Sequence, residues 1–229
     1  SYIGYSCFSN CKSLKRIDLP STVDCIESWA FSWCSSLEEF TFPASLTEIC
    51  EETFTYCTSL TQITIPSSIK KIGKGAFSGC KSLKQVTIQS NVPEFEEQLF
   101  EGCSSMTQIN IPSSVKKIGK EVFSGCSSLA QITIPSKVTE FGEMIFKECS
   151  SLVQINIPSS VKKIGDNAFA ECTSLIKIEI PSSVKEIGSN IFEGCSSLEE
   201  VSFHAKIKEI NFEMFKGCSA LKRFVIPSS

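Results

Sequence analysis

Apolar residues follow one order along this chain and then begin it again. Leu-x-x-Ile-x-Ile is followed by Pro, then by Val-x-x-Ile, then by Ala-Phe-x-x-Cys. The alternation in Leu60, Ile63 and Ile65 has a period of two and predicts a short strand. Pro66 should end that strand, because proline has no N–H to give a ladder. Ile69 and Ile72 predict a second short extended segment. Gly73, matched by Gly119, Gly142, Gly165 and Gly188, is expected to supply a turn conformation, and Ala76-Phe77 to begin a single helical turn.

The repeat length is constant. Ten cysteines, from Cys11 to Cys218, are each separated by 23 residues. Phenylalanine stands three residues before each one, from Phe8 to Phe215, and leucine three residues after, replaced once by Met106. The register fills residues 1–229 without insertion or deletion, so the chain reads as one solenoid domain of about ten stacked units. It begins and ends inside its own repeat and reads as a segment of a longer protein. One unit alone should not fold. Eight or so apolar side chains give roughly 1.5–3 kcal/mol each on full burial. Ordering the unit costs about 1–2 kcal/mol per residue, which exceeds that sum. Stacking supplies the shared hydrogen bonds and the second wall of the core.

Composition adds mainly exclusions. Hydrophobic residues make up 41% and charged residues 21%, with a formal net charge of -3. That balance disfavours nucleic acid as a partner, since a phosphate backbone calls for a basic surplus. No apolar run is long enough for a membrane helix, so direct membrane insertion is not expected. His204 is the single histidine, and there is no Cys-x-x-Cys pair, histidine-based triad or glycine-rich phosphate loop. Catalysis, cofactors and metal binding are therefore not expected.

The segments Leu-x-x-Ile-x-Ile-Pro and Val-x-x-Ile-Gly-x-x-Ala-Phe-x-x-Cys, recurring in a 23-residue unit, resemble the BspA-like (Treponema-type) leucine-rich repeat family along the whole chain. The resemblance implies a curved right-handed coil with a parallel β-sheet on its concave face, short second extended segments and single helical turns. It also implies a cell-surface setting and a role in adhesion. An intracellular scaffold or regulatory domain in the cytoplasm is the alternative. The chain has no Asn-x-Ser/Thr acceptor site, which favours that alternative in a eukaryote and is neutral in a bacterium.

Ten cysteines at one repeat position predict a column of buried, unreactive thiols, because free cysteine behaves as a small hydrophobe. Cys7, Cys25 and Cys50 lie off that column. Cys7 takes the position of Ala30 and Ala76 and is expected in the core. Cys25 and Cys50 are two positions out of register on adjacent rungs, too far apart for a relaxed disulfide.

Partner recognition must lie in the outward positions. Within the first strand these form a glutamine column, Gln62, Gln85, Gln108, Gln131 and Gln154, beside a Thr/Asn column. Such a face suits a protein or glycan ligand, and equally suits side-chain ladders that stabilise a sheet. On the second segment Glu48, Lys71, Glu94, Lys117, Glu140, Lys163 and Glu186 alternate in sign, which sets register between rungs. Glu209 follows them. Both tryptophans and all three tyrosines fall within the first 56 residues. Trp33 and Tyr56 replace the glycine before cysteine, and Trp29 aligns with Glu52 and Glu121, so all three are expected outside as interface anchors. Around Pro93 the repeat lapses, with Gln89 for proline and Glu96 for glycine, and this rung is expected to bend the solenoid or to open first. Unpaired strand edges at both ends predict end-to-end self-association.

Overall fold

The computed structural model describes residues 1–204 and 213–226. It is a parallel β-solenoid whose rungs share one plan, a first extended segment that forms a strand in five of them, a second extended segment and a six-residue turn. Strands Gln62–Ile65 and Gln85–Ile88 pair with each other, and Lys177–Ile180, Glu200–Phe203 and Arg223–Val225 form a second set. Every pairing is parallel and joins residues 23 apart. The predicted stop holds, since the strand begun at Gln62 ends immediately before Pro66.

The core is built in columns. Phe31, Phe54, Phe77, Phe100, Phe123, Phe146, Phe169 and Phe192 are fully buried and lie one above another. Their rings are nearly parallel, with centroids 5.5 Å apart between Phe31 and Phe54 and 6.2 Å apart between Phe100 and Phe123. Both spacings suit offset stacking.

The expected helical turn is not formed. Each turn instead holds two residues in the left-handed region, four positions apart, such as Trp29 (φ 57°) and Trp33 (φ 60°). Positive φ is incompatible with a right-handed helix. Alternate N–H groups then point along the solenoid axis. Trp29, Phe31 and Trp33 donate to the carbonyls of Glu51, Thr53 and Thr55 on the next rung at 2.8–3.1 Å. The intervening amides bond within the turn, as Cys34 does to Phe31 at 3.2 Å. The turn is thus a third inter-rung ladder.

The glycine column also has a different cause from the one expected. Gly73, Gly119, Gly142, Gly165 and Gly188 do not adopt positive φ. They stand where two backbones almost touch: a Cβ on Gly73 would lie 2.6 Å from the Glu51 nitrogen, and one on Gly142 would lie 2.5 Å from the Gly119 carbonyl carbon. The consequence shows in the neighbouring two-residue strands. Glu48–Ile49 pairs with Lys71–Ile72, and the strands from Glu94–Phe95 to Glu186–Ile187 form one five-stranded sheet. Pairing fails where the following rung carries Cys50 or Glu96 in place of glycine. Tyr2–Ile3 and Cys25–Ile26 pair although Glu27 follows, and there the Glu27 carboxylate accepts the Tyr5 N–H at 2.7 Å. The rung of Pro93 is therefore a real discontinuity, lacking both a ladder donor and the close approach.

The cysteine column is buried from Cys34 to Cys195, and all cysteines are free thiols. Each of these thiols also donates to the phenylalanine carbonyl of the preceding rung: Cys57 to Phe31 at 3.2 Å, Cys126 to Phe100 at 3.2 Å, Cys195 to Phe169 at 3.0 Å. That carbonyl already accepts the cysteine amide of its own rung, so the thiol fills its second lone pair. Burial pushes Cys34 up to about 11 and Cys80 and Cys172 up to about 12, and pushes Cys57, Cys103, Cys126, Cys149 and Cys195 up further. Cys7, expected in the core, is exposed, as is Cys11, because no rung lies above them in this chain.

Replacing Pro93 by Lys and Glu96 by Gly should restore pairing between Lys71–Ile72 and Glu94–Phe95. The gain expected from the recovered ladder bonds is on the order of 1 kcal/mol in urea unfolding. In the folded 1–229 chain at neutral pH a maleimide should modify Cys7 and Cys11 rapidly, with Cys34 to Cys195 reacting only in denaturant; mass spectrometry of the adducts reads this out. The buried thiols hold their protons more tightly when folded than at their ordinary value of 9.0. Folding then favours the protonated form. Their contribution should be fully present below pH 9 and decline as the pH rises above it, measured as a falling denaturation midpoint.

Candidate ligand-binding surface

The first strand directs Ile63 and Ile65 inward and Gln62 and Thr64 outward, as its alternation requires. Gln62, Gln85, Gln108, Gln131 and Gln154 are all exposed, aligned on successive rungs. Their side chains make no hydrogen bond to another protein group, and neither do those of Thr64, Thr87, Asn110, Thr133 and Asn156. The amide ladder that would have tied the sheet together is not formed.

The strand ladder itself is interrupted in the middle of this face. Between Gln108 and Asn156 only the bridges Asn110–Thr133 and, at its edge, Gln154–Lys177 remain. Interior side chains show slightly through the gaps: Ile132 and Ile134 are 9% and 6% exposed, against 2% and 0% for Ile63 and Ile65 at the same positions of a paired strand. Shallow grooves follow the same places. One of about 420 Å³ is lined by residues of three rungs, among them Gln131, Gln154, Asn156 and Lys177. Another of about 560 Å³ lies between Gln85 and Gln108. Beside the first, Val153 and Ile176 are exposed where the other rungs carry Lys, Glu, Thr or, at Ala130, alanine.

The aromatic candidates belong to a different part of the rung. Trp33 and Tyr56 lie in the turns and are 49% and 38% exposed. Their rings stack 4.1 Å apart, and the Tyr56 ring rests on the bare Cα of Gly79. Trp29, expected outside, is half-buried: its ring meets Tyr5 edge-on at 5.0 Å and its Nε1–H donates to Glu52 at 2.9 Å. The structure therefore separates the five glutamines and the three aromatics into two surfaces.

The charge ladder closes in part. Lys71 reaches Glu48 at 3.0 Å and Lys163 reaches Glu186 at 3.5 Å, whereas Glu94, Lys117 and Glu140 align without an ion pair. The Glu48 carboxylate raises the Lys71 pKa. Glu209 lies outside the described residues. A second alternating column was missed, Glu51, Lys74, Glu97, Lys120 and Glu143, with Lys74–Glu97 at 3.1 Å and Lys120–Glu143 at 3.3 Å. Reading every twenty-third residue one column further would have found it. Among the described residues no group of three or more His, Cys, Asp or Glu is placed to hold a metal ion, and no helix is long and apolar enough to cross a membrane.

Comparison with known proteins gives the family. The model of the BspA type leucine rich repeat region matches residues 1–130 and 118–229, in six copies. A leucine-rich repeat protein from Bacteroides ovatus is 29% identical, superposes with a TM-score of 0.82 over 98% of this chain, and is spanned over 64% of its own length. A leucine rich cell surface protein from Faecalibacterium prausnitzii is 28% identical, with 99% of this chain and 77% of that one covered and a TM-score of 0.56. The T. pallidum leucine rich repeat protein is 31% identical over 77% of this chain and 72% of its own, with a TM-score of 0.58. Among curated proteins no sequence match is found. With its 23-residue coil, its parallel strands and a family match that runs from end to end, the chain belongs to the BspA-type leucine-rich repeat family.

Proposed function

We propose that this chain is a non-enzymatic binding module of a cell-surface protein, adhesive in role, which takes a protein or glycan ligand on its strand face. One observation carries the proposal. Ten amide and hydroxyl side chains, from Gln62 to Asn156, stand in two exposed columns with no internal hydrogen-bond partner. A fold that used these columns for its own stability would have bonded them to each other. Their donors and acceptors are free for a ligand lying along several rungs, and the grooves at the interrupted strands give it relief to grip. The surface setting is supported by the Faecalibacterium prausnitzii relative, described as a cell surface protein.

The test is binding of the purified chain to arrayed extracellular-matrix proteins and glycans, repeated with Gln108, Gln131 and Gln154 replaced together by Ala. Because these side chains have no partner within the protein, stability should stay within about 0.5 kcal/mol per site. Affinity for the captured ligand should fall at least about tenfold, the loss expected when interface anchors are truncated. Absence of saturable binding across the array, or an unchanged affinity in the variant, would remove the proposal.

A further inference from the structure

The turns form a surface with its own chemistry. Counted over the six-residue turns (28–33, 51–56 and their equivalents), eleven Asp and Glu stand against four Lys, an acidic excess of seven, whereas the whole chain has an excess of three. The other faces are therefore net basic, and the turn face is the acidic side of the molecule. Burial raises the Glu101 carboxyl above its ordinary range, and the nearby Glu121 and Glu52 add to it in the same direction.

At the first three rungs this side carries aromatics, and the acid beside them comes from Glu27, Glu51 and Glu52, since the turns at 5–10 and 28–33 hold no charged residue. Tyr5, Trp33 and Tyr56 are exposed there, with Trp29 half-buried among them. Glu27 and Glu52 sit at the same place, fixed by bonds to the Tyr5 N–H and the Trp29 Nε1–H, and the exposed Glu51 has no ion-pair partner. The fold does not ask for these rings. Trp33 and Tyr56 occupy left-handed positions that Gly79, Gly102, Gly125, Gly194 and Gly217 fill on other rungs. A bulky residue there costs about 1–2 kcal/mol in backbone energy, as it does at Asn10, Glu148 and Glu171, and ring stacking returns about 0.5–1.5 kcal/mol beyond the area buried. Trp33 nevertheless stays 49% and Tyr56 38% exposed, so much of each ring is left unused by the fold.

We infer that this aromatic, acidic patch docks a basic polypeptide segment of a partner protein. Its arginine or lysine side chains would stack against the exposed rings, with the carboxylates of Glu27, Glu51 and Glu52 around them. Cation–π attraction and charge complementarity act at the same spot, which suits guanidinium groups best. The patch is separate from the glutamine columns, so either surface can fail its test and leave the other standing.

Both tryptophans of the chain lie in the patch, so their fluorescence reports its occupancy directly. The probe is a short peptide of alternating arginine and glycine, compared with its glutamate counterpart and with a neutral oligosaccharide. The arginine peptide should change the emission saturably and more weakly as salt rises, while the other two leave it unchanged. Two variants then locate the contact by calorimetry, Trp33→Gly with Tyr56→Gly, and Glu27→Gln with Glu51→Gln. Each should weaken binding by roughly tenfold or more, as loss of interface anchors does. Circular dichroism should show the fold retained, because glycine already serves at these turn positions and glutamine keeps the acceptor for Tyr5. Replacing Glu148 and Glu171 by Gln, on distant turns, should leave affinity unchanged. The inference is overturned by equal weakening in that control, by a response to the oligosaccharide in preference to the arginine peptide, or by no saturable response to the arginine peptide.

Discussion

Everything in this molecule answers to the distance at which one rung's backbone meets the next. Hydrogen bonds run along the axis from three parts of the rung: the strand, the second segment and the turn. The turn ladder is continuous through the described rungs and the other two are interrupted. A ladder in a turn requires amides that point out of the plane of the chain's own path. Two left-handed residues per turn provide this, and they do so even where the residue is Trp, Glu or Met rather than glycine. The strain of these residues is distributed over ten rungs and offset by the bonds it permits. Side-chain identity then follows column by column: phenylalanine where rings can stack, glycine where a Cβ would strike the backbone, cysteine where a second donor is needed.

Cysteine shows how specific that last requirement is. At this position the side chain must be small, apolar enough for full burial, and able to donate to a carbonyl that already accepts one bond. Alanine meets the first two conditions and leaves the lone pair empty. Serine donates but carries a hydroxyl with a larger desolvation cost. A thiol satisfies all three, which accounts for the nine column cysteines from Cys34 to Cys218 in a chain whose cysteines are all free. The same burial that makes the bond useful keeps the thiol protonated and unreactive.

Most of the fold could be read from spacing. Period, strand position, the proline stop and the buried Phe, Cys and Leu columns follow from the pattern of apolar residues, because each reports only whether a side chain faces in or out. Backbone conformation was less legible. Ala-Phe-x-x-Cys fits one turn of helix and also fits a turn that bonds to its neighbours, since both bury the same residues. The recurrent glycine before cysteine carried the signal, but Glu148 and Glu171 at the same position obscure it. For Gly73 and its equivalents the sequence showed that glycine was needed without showing whether φ or space was the reason. Cys7 was assigned by its column, and its exposure depends on a neighbour above that this chain does not contain.

The candidate surfaces were legible to different degrees for a related reason. Outward columns are visible in a repeat because they vary, so the glutamines and the aromatics could both be named. Their separation into two faces, and the absence of any bond among the glutamines, depend on the cross-section of the rung and on side-chain geometry. That distinction changes what repetition means here. A column fixed by the fold, such as Phe or Cys, has its polar and apolar requirements met inside the protein. The glutamine column repeats over five consecutive rungs and has none of its requirements met inside. The aromatics at residues 33 and 56 go further, since they replace a residue the backbone would accept at lower cost. Repetition alone therefore does not mark a position as scaffold; an unmet hydrogen bond, or a half-exposed aromatic where glycine would serve, marks where the scaffold faces something else.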